Sequence, residues 1–154
     1  MTEHVDRSKV RRIAEMHGED EAETSELEQM LREARAYLGS FAWCDAIEEE
    51  YFGIGIVPIV GVFLFRIRPK GDGDDWLWVI VGDLPSAYLV TDRASSPALA
   101  LEVYCELMDD WIQAVRRNED MRNVFPISAT PSADNADLLA KRIVFLRKKI
   151  IPFM

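Results

Sequence analysis

Trp76-Leu77-Trp78-Val79-Ile80-Val81-Gly82-Asp83-Leu84-Pro85 decides how this chain reads. An unbroken apolar, β-prone run stops at a glycine, an acid and a proline, which marks a buried strand ending in a rigid turn. Trp76, Trp78 and Ile80 fall on one face of that strand, and Leu77, Val79 and Val81 on the other. Both faces are apolar, so the sheet centre is expected to be covered on both sides, by helices or by a second subunit.

Working outward, residues 56–68 form a second β-branched and aromatic run, with Phe63, Phe65 and Ile67 opposed to Arg66 and Arg68. Pro69-Lys70-Gly71-Asp72-Gly73-Asp74 between the two runs has turn composition, so an antiparallel hairpin of 56–68 with 75–82 is the economical reading. A short third strand is expected over residues 87–91. Ser25 and Glu28 have capping-box spacing, and Leu27, Met30, Leu31, Ala34 and Leu38 keep the helical period up to Gly39, which suits a left-handed C-terminal position. A short helix is expected over residues 41–50, ending in Glu48-Glu49-Glu50 against the helix dipole. Ser96-Pro97 opens a helix to about residue 117, with Leu101, Tyr104, Cys105, Met108, Trp111, Ile112 and Val115 inward. Thr130-Pro131 opens a last helix through Leu138, Leu139, Ile143, Leu146 and Ile150. Residues 1–24 read as a peripheral segment, a short helix along Val5, Val10, Ile13 and Met16 followed by an acidic linker. The sum is an α+β domain over residues 25–154: a small antiparallel sheet packed by three to four helices.

Composition narrows the function. With 154 residues, 49% of them hydrophobic, the chain is long enough for one core without disulfides or metal. A formal charge of −9 disfavours nucleic acid, which needs a basic surface, and favours a protein partner with a basic one. The apolar stretch from Phe52 to Phe65 is too short and too interrupted by Gly53, Gly55, Pro58 and Gly61 to span a membrane, and no secretory leader is read at the start. Cys44 and Cys105 are then reduced cytoplasmic thiols and small hydrophobes of the core.

Trp43-Cys44, the run from Trp78 through Gly82-Asp83-Leu84-Pro85 to Tyr88, and Lys141-Arg142-Ile143-Val144-Phe145-Leu146 together resemble a family of small bacterial proteins of unknown function. The resemblance spans residues 37–145 and implies architecture without naming a reaction.

Asp83 has two assignments. One is a carboxylate at a strand end that faces a cleft with Tyr88 and Trp43 or Trp78, suited to ligand binding or acid–base work. The other, favoured by the turn chemistry around it, is a cap on the local backbone. Trp43, Trp76, Trp78 and Trp111 read first as core, with Trp76 expected to be the most exposed; an aromatic pocket or interface anchor is the alternative. Asp72-Gly73-Asp74-Asp75 lacks the ligand series of a calcium loop, because Trp76 takes the fifth position. The only histidines, His4 and His17, lie in the N-terminal segment, and no nucleophile elbow, phosphate loop or dinucleotide fingerprint occurs. No cofactor and no metal is therefore expected. The leading expectation is a non-enzymatic acidic interaction protein, immunity-like or regulatory. Its alternatives are a small-molecule site or carboxylate-dependent enzyme centred on Asp83, and a structural or homodimerising domain.

Overall fold

The 76–85 run does form a strand that stops at its glycine. In the computed structural model, which describes residues 6–154, β4 (Trp76–Gly82) pairs antiparallel with β3 (Val60–Pro69), from Arg66 opposite Trp76 to Val60 opposite Gly82. β5 (Ala87–Val90) adds the third strand on the far side of β4. The first hairpin strand begins at Val60 and not at residue 56. Residues 57–59 form a turn with a cis Val57–Pro58 peptide, and Ile56 closes the preceding strand.

That preceding strand corrects the helix expected over residues 41–50. β2 (Cys44–Ile56) runs along the other edge of β3, with register shifts near Cys44, Ile47 and Phe52. The reason is charge. Three consecutive glutamates oppose a helix C-terminus, whereas on a strand they reach cations: Glu49 meets Arg66 at 2.9 Å, Glu48 meets Arg68 at 3.3 Å and Glu50 meets Arg35 at 2.5 Å. In place of the helix expected before residue 17, the described residues form two 3-10 turns around β1 (Arg11–Arg12), which pairs with Tyr51 and Phe52. The result is an antiparallel meander in the order β1-β2-β3-β4-β5.

α1 (Glu21–Gly39) covers one face of the sheet. It starts earlier than the Ser25–Glu28 spacing suggests, because Asp20 is the N-cap and its carboxylate accepts from the Glu23 N–H at 2.8 Å. The acidic stretch expected to be a linker is thus its first turn, where carboxylates complement the helix dipole. Gly39 is the last helical residue and does not adopt the left-handed conformation; Gly71 and Gly82 do have positive φ. Leu27, Met30, Leu31, Ala34 and Leu38 pack with Phe63, Phe65, Ile67, Leu77, Val79 and Val81, and Met16 joins them. Each large side chain so buried contributes about 1.5–3 kcal/mol, which makes this cluster the main cohesion of the sheet. Val62, Leu64, Trp78, Ile80 and Ala87 on the opposite face are fully buried too, in keeping with a strand apolar on both sides.

The chain divides into two compact units, Met1–Ala100 and Leu101–Met154, with the boundary inside α2 (Pro97–Arg116). The Ser96 hydroxyl accepts from the Leu99 N–H at 3.3 Å, as a cap before proline should. In the second unit α3 (Ala133–Phe145) is capped by Ser132 and runs on into a π-helical turn, Leu146–Ile150, and a 3-10 turn, Ile151–Phe153. Ion pairs Arg116–Asp137 at 2.9 Å and Arg147–Asp109 at 2.6 Å tie α2 to this last helical stretch. One expected core residue is displaced: Leu138 is 64% exposed, because the inward face follows Ala136, Leu139, Ile143, Leu146 and Ile150. Among the described residues no helix is long and apolar enough to cross a membrane.

Candidate functional site

The two ends of β4 have different chemistry. At its C-terminal end Gly82 lies against the 57–59 turn, and the Asp83 N–H donates to the Ile59 carbonyl at 2.9 Å. Gly82 has φ +138°, and a Cβ there would run into the Ile59 carbonyl. Gly-Asp is therefore the clasp between two turns of the meander. The Asp83 side chain itself is on the surface.

At the N-terminal end, beside the β3–β4 hairpin turn, a cavity of about 180 Å³ opens between Trp43, Tyr88, Lys70 and Asp74, floored by Pro69, Leu77 and Val90. Its aromatic wall extends inward. The rings of Trp43 and Tyr88 are 5.0 Å apart, Phe41 stacks on Trp43 at 5.0 Å, and Tyr37 meets Phe41 edge-on at 5.2 Å. All four rings are half-buried. The backbone N–H of Tyr88 hydrogen-bonds the Tyr37 hydroxyl, so the end of α1 holds the edge strand; burial pushes the Tyr37 phenol up to about 12. The Lys70 N–H donates to the Trp43 carbonyl at 2.9 Å, which fixes the hairpin turn to the aromatic wall. A cleft bounded by backbone hydrogen bonds at both rims is pre-shaped, so a ligand need not order it.

The sequence candidates are thus split. Trp43 and Tyr88 come together at the cleft. Asp83 does not join them in lining the cavity: it follows the end of β4, four residues beyond Val79, which lies opposite Tyr88, and six beyond Leu77. Trp78 is fully buried, and its indole N–H donates to the Ala94 carbonyl at 2.8 Å. Trp76, expected to be the most exposed tryptophan, is 3% exposed, with Tyr51 at 6.0 Å and the Arg7 guanidinium over its ring at 5.2 Å. The N-terminal segment covers it. Trp111 is core. Sequence reading missed Tyr37, Phe41, Lys70 and Asp74; three aromatics within seven residues (37, 41, 43) was the available signal.

The Glu48–Glu50 run is neutralised by arginines, and the Arg66 guanidinium, helped by the Tyr51 hydroxyl, holds Glu49 below the usual carboxylate range. The free acidity lies elsewhere. Eight carboxylates and one arginine fall between residues 15 and 33, so seven of the nine net negative charges sit there. None of these carboxylates forms an ion pair with a described residue. Among the described residues no cluster of histidine, cysteine, aspartate and glutamate suits a metal ion.

Burial pushes the Cys105 thiol up to about 11, against the opposing pull of Arg147, and raises Cys44 with help from Asp45. Neither is an activated nucleophile. At about pH 8 the thiolate fraction of Cys105 is on the order of a hundredfold below that of a free thiol. Alkylation of native protein should therefore label Cys44 first and Cys105 only on unfolding. Because the folded state favours the neutral thiol, stability should be unaffected below about pH 9 and should fall as pH rises from 9 towards 11. Denaturant titration across that window checks the sign. Rapid labelling of native Cys105 contradicts the assignment.

The chain matches no family model, and no curated protein or solved structure matches it.

Proposed function

We propose that this is a non-enzymatic binding protein of the cytoplasm whose partner, a protein with a basic surface, seats one side chain in the Trp43–Tyr88 cleft. The carrying observation is the cleft itself: four touching aromatic rings, half-exposed, beside a cavity of about 180 Å³. Size separates the readings. Small-molecule sites enclose roughly 300–1,000 Å³, whereas this cavity suits a single apolar or aromatic side chain. Rigid, partly exposed aromatics are also the residues that dominate protein interfaces. Asp72 and Asp74 on the adjoining turn outweigh Lys70, and the chain as a whole carries −9, so basic residues flanking the inserted side chain are favoured. We read the likeness of residues 78–88 to small bacterial proteins of unknown function as one of architecture, and the role of Gly82-Asp83 as a turn clasp supports that reading.

Immobilised wild-type protein should retain a partner from host lysate, and Trp43→Ala or Tyr88→Ala should lose at least about tenfold in affinity, roughly 1.4 kcal/mol. Asp83→Asn should retain the partner. Thermal melts of each variant separate lost binding from lost folding. Undiminished retention by both aromatic variants sinks the cleft. Loss with Asp83→Asn alone favours the reading centred on that carboxylate.

A further inference from the structure

We infer that the protein self-associates, with the last helix of one copy docking on the solvent face of α1 of another. The first observation is an apolar and basic surface on the C-terminal helical stretch. Leu138 is 64% exposed, Val144 50%, Phe153 79% and Met154 42%, four of the five exposed large hydrophobic residues of the described chain. Residues 141–154 add five cationic side chains and no carboxylate side chain. Of these cations, Arg147 pairs with Asp109, while Lys141, Lys148 and Lys149 stand at the surface. On the helical period, Leu138, Lys141, Val144, Phe145 and Lys148 share one outward stripe. Apolar side chains interleaved with lysines on a water-facing stripe are costly unless something covers them.

The second observation supplies the cover. α1 presents carboxylates without an ion pair at Glu21, Glu26, Glu28 and Glu33, flanking a solvent stripe of Ala22, Ser25, Gln29, Arg32 and Ala36 in which the Arg32 guanidinium donates to the Gln29 side-chain carbonyl at 2.8 Å. Ala22 and Ser25 leave room for an apolar side chain to approach the first half of the helix, and the flanking carboxylates are placed to meet the lysines. The two stripes also match in length: residues 21–33 and 138–149 each span about 17 Å at 1.5 Å per residue. A second copy is the partner because both complementary surfaces, α1 with five carboxylates against two arginines and the last helical stretch with the exposed Lys141, Lys148 and Lys149, are carried by this chain. The aromatic cleft takes no part, so the two proposals stand or fall separately.

Light scattering on the full chain tests this. At about 100 μM and about 50 mM salt the mass should exceed the 17.6 kDa of one chain, and it should fall back to that value at about 500 mM salt. Lys141→Glu/Lys148→Glu should remain at one-chain mass in both buffers, as should Glu26→Lys/Glu33→Lys. Mixing the two variants should restore association, because each then carries the charge the other needs. All four changed positions are solvent-exposed, and an unchanged circular dichroism spectrum and melting temperature confirm folding. A one-chain mass for the wild type at low salt overturns the inference. So does association that survives high salt and both charge reversals, which would place the interface elsewhere.

Discussion

Gly82→Ala is expected to cost about 3 kcal/mol or more, the largest loss among the glycine-to-alanine changes of this chain, because only here does a collision with backbone coincide with a positive φ. Two effects combine. A residue at φ +138° lies where only glycine is comfortable, a strain of about 1–3 kcal/mol. The new Cβ also meets the backbone of Ile59 and the Cα of Val60, atoms that cannot swing aside like the end of a side chain. Relief requires the 57–59 turn to move, which breaks the Asp83 N–H to Ile59 carbonyl bond and the last rung of the β3–β4 ladder, Val60 opposite Gly82. Against a total stability of roughly 5–15 kcal/mol, such a loss lowers the melting temperature by about 10 °C. Gly71 is the control. Its φ is +79° but a Cβ there meets nothing within 4 Å, so Gly71→Ala carries strain without collision and should cost about 1–2 kcal/mol. Urea titrations should shift in midpoint with unchanged slope. If the two alanine variants match, the clasp is not what holds the turns together.

The contrast between those glycines shows how much of the molecule was legible in the sequence. Gly82 follows an apolar run and precedes Asp-Leu-Pro, so a strand end was readable there. What was not readable was the partner of that end, since nothing local says that residues 57–59 come to meet it. The same limit explains β2. Glu48-Glu49-Glu50 cannot be judged as strand or helix until Arg35, Arg66 and Arg68 are known to lie within 2.5–3.3 Å of it, and those contacts span 15 to 20 residues of sequence. The early start of α1 was nearer the surface of the sequence: Asp20 followed by acidic residues is a helix N-terminus as well as a linker. At the site, Trp43 and Tyr88 were recognisable as candidates by residue type. Their separation from Asp83 follows from β4 running between them, which only the sheet register establishes.

Trp78 should be the tryptophan the fold tolerates losing least. It is fully buried on the face of the sheet opposite α1, between Leu64 and Leu89 on the neighbouring strands. Trp78→Ala removes a whole bicyclic ring from that layer, a change that costs about 3–5 kcal/mol where neighbours cannot collapse into the space. Trp78→Phe is the more informative variant. It keeps an aromatic ring but removes the indole N–H that donates to the Ala94 carbonyl at 2.8 Å, and Ala94 is 2% exposed, so water cannot easily replace the donor. A buried acceptor stripped of its partner costs about 1–3 kcal/mol, and the smaller ring adds a cavity, so the phenylalanine variant should lose roughly 2–3 kcal/mol. Trp43→Phe, at a half-buried ring on the rim of the cleft, should lose less than about 1 kcal/mol. Chemical denaturation, with tryptophan emission as the probe, should rank Trp78→Ala as the least stable of the three, then Trp78→Phe, then Trp43→Phe. If Trp78→Phe proves as stable as wild type, the Ala94 carbonyl needs no donor. The extra volume of the indole would then not matter at this position either.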